Sequence, residues 1–595
     1  MSSTKKAFLI IGGFAIIAVL LSVIALAVIF ESMGRPSVAQ NSVLVLRVSG
    51  DLPDYAPEDP TARLLGISQP QSFSSLMTQI RKAKVDNRIG AIMLDINFPG
   101  IGWGKADELR DAIKDFRGSG KPVYAYMQIG TNKEYYIATA AEKIFLPPAG
   151  DLYINGFAAN VSFYRGSLDK LGIEPQFLKI GKYKNAPDQY TEKTMTEPHR
   201  EVINAILDEY FGRMTQAIAD ERKKSVEDVK AIIDNAPYHA DEAKEIGLID
   251  GASYHDDIYN DLKTRLGYKE SEPVRTISGG EYREIPSDKV GLNTGEKIAI
   301  VYASGAINIG RSGSSPFGGE TMGSDTIVKA INSAADDTSI KAIVLRVDSP
   351  GGSSLASDLM WHAIENAKAK KPVVVSMADV AASGGYYISC NANKIVAQPS
   401  TVTGSIGVFM GKPVMKGFYD WLGISNEYIM RGKNAGIFRE TVKWEGTELE
   451  KMQKQIDKIY FTDFVPKVAK GRSKTDEEVN TIAQGRVWTG TQAKQNGLID
   501  EFGGLEKAIE IAKQLANLPV DKDVRRVSFP EPRPFLDAMF GTGDENTMTQ
   551  DEKARAAVIS SLPEEMRRSF RYAAMLDQMS KGEAMLLLPY ELEIK

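Results

Sequence analysis

The residue types best suited to chemistry fall in the second half of the chain, in the stretch Ala381-Ala382-Ser383-Gly384-Gly385-Tyr386, between a strand-like run, PVVVSMA, and a short helical pattern. A small hydroxyl on a strand-to-helix turn, followed by a free N–H on Gly384, has the arrangement that acyl transfer requires, and Ser383 is the candidate nucleophile. Upstream, the loop Asp348-Ser349-Pro350-Gly351-Gly352-Ser353 ends another strand pattern and leads into a helix. Adjacent glycines permit a tight turn, and N–H groups near a helix start can point at developing negative charge, so this loop offers half of an oxyanion hole. Taken alone, PGG and SGG are also ordinary turn and helix-cap sequences.

A serine nucleophile needs a base. The chain has four histidines, His199, His239, His255 and His362, and the one nearest in sequence, His362, sits mid-helix in SDLMWHAIENA with no evident carboxylate to orient it. A Ser-His-Asp triad is therefore not expected. A lysine can serve instead if burial lowers its pKa from about 10.4 toward neutrality, although the ordinary reading of any one lysine is a solvated surface charge. Cys390 is the single cysteine, which excludes an intrachain disulfide and a multi-cysteine metal site, and it reads as a buried small hydrophobe.

The elements that position these residues are written twice. IGAIMLDINFPG at 89–100 matches IKAIVLRVDSPG at 340–351, EYYIATAAEKIFLPP at 134–148 matches GYYISCNANKIVAQP at 385–399, and AKEIGLID at 243–250 matches AKQNGLID at 493–500. The matching segments lie about 250 residues apart, which is too long for a solenoid period and indicates two fused domain copies, at about 41–285 and 290–525. The polar, Gly-containing stretch SGGEYREIPSDKVGLNTGEK between them reads as a linker. Aligning the tyrosine pairs sets Asn132 opposite Ser383 and Ile101 opposite Gly352, so the first copy keeps the scaffold without the chemistry.

Within copy two apolar β-branched runs alternate with amphipathic helical patterns, which predicts an α/β fold built on a mostly parallel sheet with crossover helices. With 595 residues, 43% of them hydrophobic, the chain has ample material for buried cores. Its 72 Lys+Arg against 77 Asp+Glu leave a net charge of -5 and no global basic field, so nucleic acid is not an expected partner. Residues 7–30 form an uncharged apolar run, long enough for a transmembrane helix. Lys5 and Lys6 before it and Glu31 after it place residues 1–6 in the cytoplasm and the bulk of the chain outside. A cleaved signal peptide ending near Ser37-Val38-Ala39 is the competing reading, but the run exceeds the usual apolar core of such peptides. The extension 526–595, which opens with Pro530, Pro532 and Pro534, has no assigned role.

GKYKNA at 181–186, the loop DSPGGS, ASGGYYIS at 382–389 and PSTVTGSIG at 399–407 occur together and in order. The chain thereby resembles the signal peptide peptidase A family in its long, two-copy form. That resemblance implies tandem domains of the crotonase and caseinolytic-protease type behind a transmembrane anchor. It also implies a Ser-Lys serine endopeptidase of the bacterial inner membrane, with its catalytic domains on the periplasmic side. Ser383 would be the nucleophile, Lys184 of copy one the general base, Ser405 the hydroxyl that orients it, and Gly352 and Gly384 the oxyanion donors. Ile154 stands opposite Ser405 in copy one. The chain departs from the long form at Arg431-Gly432-Lys433-Asn434-Ala435, which aligns with Lys182 to Ala186 and makes Lys433 an alternative base. The implied substrates are cleaved signal peptides and other hydrophobic peptides, the implied assembly is a homotetramer, and no metal or organic cofactor is expected. The rival readings are an envelope quality-control protease, a non-catalytic membrane scaffold and, more distantly, an acyl-CoA enzyme on the same fold.

Overall fold

The structure is a computed structural model that describes residues 36–56, 71–314, 320–531, 583–588 and 593–594. The expected anchor at 7–30 and most of the extension lie outside the described residues. Among the described residues no helix is long and apolar enough to cross a membrane.

The expected α/β duplication is present. In copy one a parallel sheet runs in the order Gly251–Ala252, Lys143–Leu146, Val123–Tyr126, Ile89–Gly100, Ser42–Asp51, Thr276–Ser278. Copy two repeats that order with Glu501–Phe502, Lys394–Ala397, Val373–Ala382, Ile340–Ser349, Lys297–Ser304 and Arg525–Phe529, again all parallel. The last of these strands carries the second sheet to Phe529, past the boundary expected at 525. The central strands are apolar on both faces because helices cover both sides of a parallel sheet. Ile343, Val344 and Leu345 are all buried, against the helices Ser324–Asp336 and Ser354–Lys368 on one face and Leu505–Leu515 on the other.

The stretch read as a linker is structured. It begins with a capped helix, Gly279–Arg283, in which Ser278 Oγ accepts from Glu281 N at 3.2 Å. Lys82 Nζ donates to the carbonyls of Tyr282 and Ile285 at 2.7 and 2.6 Å, which fastens the segment to copy one. Buried Tyr282 supplies the apolar anchor, a signal that the many polar residues around it obscure.

Two contacts between the copies determine where the site lies. First, Glu174–Ile180 of copy one pairs antiparallel with Val408–Val414 of copy two, in continuous register from Ile180 opposite Val408 to Glu174 opposite Val414. Second, charged groups meet across the interface. Arg346 reaches Asp54 at 3.0 Å and Glu108 at 2.8 Å, all almost fully buried, and Lys105 reaches Asp348 at 2.7 Å.

Candidate active site

Ser383 sits between the strand Val373–Ala382 and the helix Gly384–Ser389, with φ +54 and ψ -110, a conformation that costs energy for a residue with a side chain. Two backbone bonds hold it there: its N–H donates to the Gly404 carbonyl at 2.7 Å, and its carbonyl accepts from Tyr387 N at 2.8 Å. The helix must start at once and close against its neighbours, since a β-carbon on Gly384 would stand 2.6 Å from Ser357 Oγ. Gly352 has φ +155, and a β-carbon there would stand 2.1 Å from the Ile307 carbonyl oxygen. Close approach of the backbone therefore requires glycine at position 352, whereas at 384 a side chain would crowd the Ser357 hydroxyl.

Lys184 arrives from copy one. The strand Glu174–Ile180 is zipped to copy two, and the loop after it turns back toward Ser405. Tyr183 N donates to the Gln484 carbonyl at 2.9 Å, and a β-carbon on Gly485 would fall within 2.7 Å of the Lys184 backbone, so a copy-two loop packs directly on this lysine. Behind it, buried Asp188 accepts from Lys179 Nζ at 2.6 Å and from Asn185 Nδ2 at 2.6 Å, bracing the loop.

The result is a compact polar cluster in a dry setting. Lys184 Nζ lies 2.8 Å from Ser383 Oγ, 3.1 Å from Ser405 Oγ and 3.3 Å from the Ser405 carbonyl oxygen. Lys184, Ser383 and Ser405 are each 0% exposed. Burial pushes the Lys184 ammonium well below its ordinary pKa. A neutral amine so placed can take a proton from the serine hydroxyl, and Ser405 Oγ can hold the amine in line. Ser405 itself has φ +51, fixed by donation of its N–H to the Arg486 carbonyl at 2.7 Å.

Lys433 is not brought to this cluster. It lies exposed on a surface turn. In copy one the corresponding positions are occupied by other chemistry: Asn132 Nδ2 donates to the Gly156 carbonyl at 2.7 Å, Lys133 Nζ donates to the Ile101 carbonyl at 2.6 Å, and Ile154 is buried. His199 is also buried, and desolvation lowers its pKa to about 4, while His362 contacts Asn366 on the same exposed helix face. Neither is part of the Lys184–Ser383 cluster.

Peptidase family S49 matches two segments, residues 115–269 and 365–519. The chain belongs to peptidase family S49. One S49 match falls within each copy, and the serine cluster draws on both. Among relatives, the chloroplastic serine protease SPPA of Arabidopsis thaliana is 37% identical over 87% of this chain and 78% of its own length. Protease 4 of Salmonella typhi is 35% identical over 76% of this chain and 73% of its own. A solved structure of a ClpP1 mutant from Listeria monocytogenes aligns at 15% identity over 35% of this chain and 94% of its own, with a TM-score of 0.23. As an S49 member with these relatives, the chain is a serine peptidase.

Contacts that bear on the site but that no motif announces also emerge. Asp348, just before the Pro350-Gly351-Gly352 loop, accepts from Val380 N through Oδ1 at 3.1 Å and pairs with Lys105 through Oδ2 at 2.7 Å. Asp379 accepts from the backbone N–H groups of Gly102 and Lys105 at 2.8 and 2.7 Å. The start of the copy-one helix Trp103–Arg117 thus clamps the two loops that lead to Gly352 and Ser383. The partners are distant in sequence, so inspection of either motif alone gives no sign of them.

Proposed function

We propose that this S49 peptidase works by a Ser-Lys dyad assembled across its two copies. Lys184, neutral through burial, takes the Ser383 proton as Oγ attacks a peptide carbonyl. The N–H groups of Gly352 and Gly384 receive the oxyanion, and Ser405 keeps the amine aligned. The protonated amine then gives its proton to the leaving nitrogen. Water attacks the acyl-enzyme with the same amine as base. The observation that carries this reading is the 2.8 Å contact between Lys184 Nζ and Ser383 Oγ in a site closed to solvent. The experiment is single-turnover acylation by a hydrophobic peptide ester: Ser383→Ala should form no acyl-enzyme, whereas hydrolysis near the wild-type rate would sink the dyad.

The substrates we propose are hydrophobic peptides, cleaved signal peptides among them, met at a bacterial inner membrane to which residues 7–30 anchor the chain with its two copies on the periplasmic side. Tethering raises the effective concentration of bilayer-borne peptides at the site. We also propose a homotetramer, for which the duplication supplies a reason. The copy-two counterpart of the strand Glu174–Ile180 is about 424–430, which forms no strand in this chain and exposes Ile424, Tyr428, Ile429 and Met430. The copy-one counterpart of Val408–Val414 is about 157–163, of which Ala159–Asn160 alone is in a strand, with Glu593–Ile594. Pairing 424–430 of one subunit with 157–163 of the next would repeat between chains the contact that joins the copies within one. Such a head-to-tail contact can close a ring.

A further inference from the structure

A short piece of the C-terminal extension pairs with the strand that carries Gly352. Met585–Leu587 runs antiparallel to Gly351–Ser353, with Leu587 opposite Gly351, Leu586 opposite Gly352 and Met585 opposite Ser353. Its other edge meets the strand Val408–Val414, with Met585 opposite Phe409. The ladder extends beyond the strand at both ends, because Ser354 N donates to the Ala584 carbonyl at 3.1 Å and Leu588 N donates to the Pro350 carbonyl at 2.7 Å.

Hydrogen-bonded and non-bonded pairs alternate along an antiparallel ladder. With the two end pairs bonded, Gly352 and Leu586 form a bonded pair as well, and the Gly352 N–H faces the Leu586 carbonyl. The Gly384 amide borders the same space: the point where a β-carbon of Gly351 would stand is 2.0 Å from Leu586 O and 2.7 Å from Gly384 N. A carbonyl of the chain itself therefore faces the Gly352 N–H, one of the two groups assigned to the oxyanion, and the amide of the other, Gly384, borders the same space. The side chains alternate as in any strand. Ala584 and Leu586 pack into the copy-two core, while Met585 packs against Ala186, Tyr190 and Phe409, beside the Lys184 loop. All three are buried.

We infer that residues 584–588 are an intramolecular occupant of the peptide cleft, an inhibitory strand that a substrate must displace before it can be cleaved. The inference rests on the peptidase reading of the Ser383 site. It also describes how the cleft takes a peptide: by strand addition between Gly351–Ser353 and Val408–Val414, with apolar side chains directed alternately into copy two and toward the Lys184 loop. Because the occupant belongs to the same chain, it competes at a high effective concentration.

Binding is tested with catalysis switched off, in the full chain carrying Ser383→Ala. A fluorescent peptide spanning residues 582–589 should bind the Ser383→Ala/Leu586→Asp chain about ten-fold more tightly than the Ser383→Ala chain, since apparent affinity falls with the fraction of open cleft. Equal affinities in the two backgrounds would overturn the inference. A second measurement needs no substitution in the strand. Saturating peptide on the Ser383→Ala chain should strip residues 585–588 of hydrogen-exchange protection, and protection that persists while peptide is bound would overturn it equally. Neither arm depends on hydrolysis, so a wild-type chain that cleaves no peptide would count against the peptidase reading and leave displacement measurable.

Discussion

Lys105 Nζ and Asp348 Oδ2 form a 2.7 Å ion pair that joins the first copy to the strand end just before the Pro350-Gly351-Gly352 loop. Burial disfavours the Lys105 ammonium, yet Asp348, Asp379 and Asp54 outweigh that effect and raise its pKa, so the lysine stays charged. This contrasts with Lys184, where burial acts without a compensating carboxylate and lowers the pKa. Two lysines of one copy are thus buried against the other, one held as a cation by carboxylates and one whose burial favours the neutral amine.

The first prediction concerns that clamp. Lys105→Met leaves Asp348 and Asp379, both partly buried, without their cation, and since breaking a fully buried pair from one side costs about 3–5 kcal/mol, the loss here should approach the lower end of that range. Chemical denaturation should show a loss of that order, and kcat should fall because the loop bearing Gly352 is no longer held. Stability and kcat that both match wild type would show that the pair does not position the loop.

The second prediction separates the two candidate bases. Lys184→Ala should lower the acylation rate by about 10²–10⁴-fold, the usual contribution of a general base. Lys433→Ala should leave it unchanged, because Lys433 is on an exposed turn. For the wild type, kcat/KM should rise with pH through the depressed pKa of Lys184, since only the neutral amine accepts the serine proton. A large defect in Lys433→Ala alone, or a rate that falls as pH rises through neutrality, would refute the assignment.

The third prediction follows from the same shift through linkage. A lysine whose folded pKa lies below its unfolded value binds more protons when unfolded, so it destabilises the fold at neutral pH. That destabilisation shrinks as pH rises from the folded pKa toward the unfolded value of about 10.4. The difference in Tm, Lys184→Met minus wild type, should accordingly be more positive at pH 7 than at pH 9.5. A difference that does not change with pH would mean that Lys184 is protonated in the folded chain.

What the sequence made legible divides along local and non-local lines. Ser383, Gly352 and Gly384 could be read because each lies at the junction of a strand and a helix, where a small residue or a glycine stands out from the pattern around it. The parallel sheet was legible from its apolar runs, and the duplication from its matching motifs. Lys184 and Ser405 came through family resemblance, as nothing in the local pattern marks Lys184 out from the other lysines. The strand contact that delivers Lys184 could not be read, because Glu174–Ile180 is half-buried and its pairing with Val408–Val414 spans more than two hundred residues of chain. The same holds for Arg346: inside IKAIVLRV it is an isolated charge in a core strand, and only the fold reveals Asp54 and Glu108 around it.

The last prediction concerns assembly. If residues 424–430 of one subunit pair with about 157–163 of the next, Ile429, which is 89% exposed in the single chain, becomes buried in the assembly. Ile429→Lys would then place a charge in an apolar contact with no partner carboxylate supplied, a change that like-sized interfaces tolerate poorly. Sedimentation should show a shift from the oligomer to a single chain. Acylation of Ser383 should survive, because Lys184 and Ser405 reach the serine from within the same chain. Unchanged sedimentation would remove this segment from the interface, and loss of acylation in a folded monomer would mean that a neighbouring subunit completes the site.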